Sequence, residues 1–162
     1  MVACGGGALL LPWLPGPWPN PLPEGELDLA SPAIVDCLRE AAATVDAACV
    51  NGDLSGFTAA VTAAHRADLG RSLEPLGLAL DAAALRQLGA RQAAWLDADA
   101  LAGDVVGARA AIAMARPDGD GAQVLTFEWN GERMLLDGSV RILGVRDAAT
   151  ARTAVAAAVA RR

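Results

Sequence analysis

Asn130-Gly131, set between two alternating apolar runs in VLTFEWNGERMLLDGSVRIL (residues 124–143), constrains this chain more than any other feature. The dipeptide is a strong signal for a two-residue type I′ turn, which needs φ > 0 at both central residues. Such a turn sets Trp129 opposite Glu132, Phe127 opposite Met134 and Leu125 opposite Leu136. Side chains along a strand alternate with a period of two, so these residues share one face. Val140 and Ile142 extend that face provided that Gly138 introduces no bulge. On the other face Glu128 meets Arg133, an opposite-charge pair contributing about a few tenths of a kcal/mol. Pattern and turn chemistry agree on an architecture but name no chemistry.

Ahead of the hairpin the periodicity is helical. Ser31-Pro32 is a helix start, with Ser as N-cap and Pro in the first turn. Ile34, Leu38, Ala41, Val45 and Ala48 then recur at helical spacing, and Asn51-Gly52 supplies a left-handed stop. A second helix is expected from Asp53 or Ser55 to Leu69, with Phe57, Val61, His65 and Leu69 as its stripe. A third begins at Asp81, carries Leu85, Leu88 and Trp95, and fades into Asp97-Ala98-Asp99. Residues 104–115 read as one strand with Val106, Ala108, Ala110, Ile112 and Met114 on one face. A last helix over 147–161 has Ala151, Val155, Ala158 and Val159 as its stripe. Segregated runs of this kind indicate α+β: three N-terminal helices packed on an antiparallel β-meander, with a C-terminal helix. A lone three-stranded sheet is marginal, so helices must cover one of its faces.

The chain has 162 residues, which suits one domain over 28–162 plus a Pro/Trp-rich extended arm over 1–27. Six of the nine prolines fall between Pro12 and Pro23, which excludes helix and central strand there. The arm nevertheless carries Leu9, Leu10, Leu11, Trp13, Leu14 and Trp18. It either lies across an apolar groove of its own domain or docks onto another protein. Met1-Val2-Ala3-Cys4 before a glycine run resembles the end of a bacterial lipoprotein signal, with Cys4 as the lipidated residue. That reading requires a start codon further upstream; otherwise Cys4 is an ordinary exposed thiol.

Every basic residue is Arg and Ala dominates the helical segments, a bias expected of a GC-rich bacterial genome. A net charge of -6 argues against nucleic-acid binding, which rests on clustered cations. It is compatible with cytoplasm, or with the envelope if Cys4 is a lipoprotein cysteine. Three cysteines make no complete disulfide framework. Cys37 and Cys49, twelve residues apart on one helix, stand roughly 18 Å from each other, too far to bridge. No metal-ligand spacing, phosphate loop or nucleophile elbow is present, and no cofactor is expected. No apolar run reaches the roughly twenty residues of a transmembrane helix.

Asn51-Gly52-Asp53-Leu54-Ser55-Gly56-Phe57, then Val105-Val106-Gly107-Ala108-Arg109-Ala110, Leu125-Thr126-Phe127 and Leu136-Asp137-Gly138 carry a resemblance. Over about residues 32–143 the chain resembles the nuclear transport factor 2-like superfamily of small α+β cone folds. The first stretch is similar to that family's junction between helices, the others to its strand meander, with Met134 where many members carry Trp. The resemblance implies either a non-catalytic binding domain or an isomerase or hydrolase.

Candidate residues follow from both readings. His65, the one imidazole, is a candidate base near a pocket, with Asp68 one turn later to orient it; otherwise it is a half-buried core-edge histidine. Asp97 and Asp99 are candidate catalytic carboxylates, although residues two apart on a helix point in different directions. Arg109, Arg141 and Asp137 lie out of phase with the apolar face, where Arg suits an anionic ligand. Trp95 and Trp129 are candidate binding platforms, or else core and rim residues. The expected role is a binding or scaffolding domain, holding a partner protein or an apolar small molecule in the helix–sheet groove. The alternative is a cone-fold enzyme, a proton-transfer isomerase or hydrolase with His65 or an Asp as base.

Overall fold

The computed structural model describes residues 25–26, 29, 32–92, 98–116, 121–145 and 147–160. Cys4, Trp13, Leu14, Trp18, Trp95 and Asp97 lie outside them; of the expected arm only Gly25 and Glu26 are described, and they pair with Val105 and Asp104 as part of the sheet. The elements run β1 (Gly25–Glu26), α1 (Pro32–Asn51), α2 (Leu54–Ala60), α3 (Ala63–Leu73), a 3₁₀ turn (Glu74–Leu76) and α4 (Ala82–Gln92). Then follow β2 (Ala100–Val106), β3 (Arg109–Ala115), β4 (Ala122–Trp129), β5 (Met134–Ile142) and α5 (Ala148–Ala160). This is the α+β order expected: helices, an antiparallel meander, a closing helix. The sheet runs β1-β2-β3-β4-β5 with every neighbour antiparallel.

α1 ends where Asn51-Gly52 foretold, with Gly52 at φ 66. That left-handed geometry returns the chain, letting the Gly52 and Asp53 amides donate to the Cys49 and Ala48 carbonyls. Asp53 and Asp81 cap the helices that follow, accepting from the amides of Gly56 and of Ala83 and Ala84. The segment expected as one helix to Leu69 is two, broken at Val61-Thr62. Val61 makes a parallel bridge to Leu136, and the Thr62 amide donates to the Leu136 carbonyl at 3.0 Å. The apolar stripe continues through the break, so only this contact with β5 reveals it.

The segment 104–115, expected as a single strand, belongs to two. Val106 pairs with Arg109 around a tight turn in which Gly107 takes φ 59, a conformation that costs glycine little. The hairpin between β4 and β5 also differs from a type I′ turn. No non-glycine residue among those described has positive φ, so Asn130 cannot fill its place there. Instead the Asn130 side-chain oxygen accepts from the Glu132 and Arg133 amides, closing a four-residue loop. The pairs become Trp129–Met134, Glu128–Leu135 and Phe127–Leu136. The register is thus two residues from expectation, a shift that preserves every face, while the Glu128–Arg133 pair disappears.

The condition attached to Gly138 fails. Thr126 pairs with Gly138 and Phe127 with Leu136, leaving Asp137 as an extra residue in a β-bulge. Beyond it the side-chain phase of β5 inverts. Val140 and Ile142 pair with Val124 and Ala122 and face away from Phe127.

Both faces of the sheet are covered. On one, Ile112, Met114, Leu125, Phe127, Met134 and Leu136 pack with Leu38, Val45, Phe57 and Leu85 from the N-terminal helices. On the other, Ala102, Ala111, Ala113, Ala122 and Val124 meet Ala151, Val155 and Val159 of α5.

Candidate functional site

α5 sits off-centre, chiefly on β2 and β3 and less on β4. Its small side chains fit closely over the alanines of β2 and β3. The phase inversion at Asp137 meanwhile turns Gly138, Val140 and Ile142 towards the part of that face which α5 leaves open. The result is a cleft of about 580 Å³ between α5 and β4–β5. Val124, Val140, Ile142, Val145, Ala154 and Ala157 are among its apolar lining, with Thr126, Thr150 and Thr153 as scattered hydroxyls. The lining residues of α5 run from Thr150 to Ala158, a length of roughly 12 Å at the rise of an α-helix.

One end of the cleft is polar. Arg109 Nη2 donates to Asp137 Oδ2 at 2.8 Å, and both side chains are largely buried, at 22% and 14% exposure. Arg109 Nη1 also donates to the Val159 carbonyl at 3.2 Å. That carbonyl belongs to the last turn of α5, where helix carbonyls lack intrahelical partners and a cation is favoured. Asp137 Oδ1 accepts from the Thr62 hydroxyl at 2.7 Å. The Thr62 hydroxyl in turn accepts from the His65 amide at 3.1 Å, capping α3. A single chain of bonds therefore runs from α3, around the β5 edge, to the end of α5.

His65 is half-buried in the first turn of α3 and takes no part in the cleft lining. Burial holds its imidazole below the ordinary value, against the opposing charges of Asp137 and Asp68. Asp99 is exposed at the entry to β2, where its backbone carbonyl accepts from the Ala115 amide at 2.8 Å. It does not line the cleft. Of the two arginines expected together, only Arg109 reaches the cleft. Arg141 pairs with Gln123, in line with Met114, on the opposite face of the sheet. Trp129 is partly buried and packs against the helix-side core, so it belongs to packing rather than to the cleft. Cys37 and Cys49 are free thiols, as their spacing required. Burial, with help from Asp46, pushes Cys49 up to about 11, far from a reactive thiolate.

Sequence reasoning named Arg109 and Asp137 but missed Thr62 and the valine, isoleucine and threonine walls. Those walls depend on the bulge, for which Asp137-Gly138 was the available signal. Among the described residues no cluster of three His, Cys, Asp or Glu side chains could hold a metal ion. No described helix is long and apolar enough to cross a membrane. No protein-family model matches the chain, and neither the curated proteins nor the solved structures contain a match to it.

Proposed function

We propose that this domain binds a small, mainly apolar molecule in the cleft between α5 and β4–β5. The observation that carries this reading is the lining itself: aliphatic walls closed at one end by a fixed polar pair. Apolar concavities with a few convergent polar groups are the usual form of small-molecule sites, and the volume lies within their range. Val140 is 55% exposed, an apolar side chain left open at the cleft wall. For the enzymatic alternative, with His65 or an Asp as base, His65 does not line this cleft.

Titration with 1-octanol, followed by methyl NMR, tests the reading. Shifts are expected at Val124, Val140 and Ile142. They should vanish in Ala157→Phe, whose ring fills the cleft from an exposed position, while circular dichroism stays unchanged. Shifts scattered elsewhere, or unaffected by the substitution, would overturn it.

A further inference from the structure

Resting on the cleft as a small-molecule site, we infer that its polar end selects an uncharged donor–acceptor head group, such as a hydroxyl, over a carboxylate or an ammonium. The Arg109–Asp137 pair decides this. The two charges lie 2.8 Å apart and are largely buried, so each already faces a fixed opposite charge at this end of the cleft. Asp137 is acceptor-only when ionised. Its oxygens together offer about four lone-pair sites. The Thr62 hydroxyl and the Arg109 guanidinium take two of them, one on each oxygen.

A ligand carboxylate approaching this end would meet a second carboxylate that is already committed to Arg109. It would either stay poorly paired while losing its hydration or displace Asp137 and strand that charge. An ammonium would meet Arg109 in the same way. Burying a charge without full pairing is costly, whereas a hydroxyl donates to Asp137 without adding charge. Thr62 and the Val159 carbonyl hold the pair from opposite sides, so it cannot open towards a charged head group without breaking the links to α3 or α5.

The test compares 1-octanol, octanoate and octylammonium at pH 7 by NMR titration against the unmodified protein. The neutral alcohol is expected to bind roughly tenfold tighter than either ion, the ratio that one poorly paired polar contact produces. In Asp137→Asn the pair gains a net positive charge, so the preference should swing towards octanoate. Octanoate or octylammonium matching 1-octanol on the unmodified protein would overturn the inference while leaving the cleft as a binding site. Failure of all three probes to shift the cleft methyls would remove the binding site and the head-group inference together. The comparison on the unmodified protein decides the matter even if Asp137→Asn does not fold.

Discussion

The two faces of the sheet are built to different rules. The helix-side face carries large side chains, with Phe57, Phe127, Leu38, Leu85, Ile112 and Met114 all buried to within 2%. The α5 side is an alanine and valine seam, with Ala102, Ala111, Ala113 and Ala122 against Ala151, Val155 and Val159. Large side chains of unequal shape interdigitate and fill space; small ones bring backbones close over a narrow strip. The first arrangement makes a core. The second makes a tight contact over part of the sheet and leaves the remainder open, which is where the cleft lies.

That contrast is open to direct challenge. Phe127→Ala, on the filled face, should cost about 3–5 kcal/mol in urea unfolding, the range for removing a buried aromatic ring. Val155→Ala, on the seam, should cost about 2 kcal/mol, since it removes two buried carbons. Equal losses would show that the seam carries as much packing as the core. Thr62→Ala severs the link between the faces and also removes the α3 cap. A loss of about 1–2 kcal/mol is expected from the two together.

The smallest effect is a slope with pH. The folded His65 titrates below 6.5 because burial, the largest influence, outweighs Asp137 and Asp68. Between the folded value and 6.5 the unfolded chain therefore binds more protons. Stability should be complete above that window and fall as pH drops through it. His65→Gln should flatten this slope in thermal melts recorded from pH 7.5 to 5. An unchanged slope would assign it to the carboxylates.

Much of this was legible in the sequence. The shared face of Phe127, Trp129, Met134 and Leu136 follows from alternation alone, and it survived a register shift of two because two is the period of a strand. The stop at Asn51-Gly52 was equally local. What escaped were features whose cause lies elsewhere in the fold. Val61-Thr62 continues a helical stripe, and only the backbone of Leu136 breaks it. Val106, Ala110 and Ile112 keep one alternation across Gly107-Ala108, so a turn hid inside what resembled a continuous strand. The cleft was least visible, since it needs both the bulge at Asp137 and the off-centre seat of α5. Arg109 and Asp137 were candidates because their phase was wrong for the core. Arg141 shared that signal only under the unbulged register.

The bulge at Asp137 also bears on how this chain can change over evolutionary time. β5 serves Phe127 and its neighbours before the bulge and the cleft beside α5 after it, so its two halves are matched to different sides of the sheet by a count of one residue. Substitutions within either half alter one layer at a time. A single deletion there would exchange the partners of every following side chain, pointing Val140 and Ile142 into a core already full. The length of this strand is thus held more tightly than its composition, and variation in close relatives should fall on residue identity rather than on spacing.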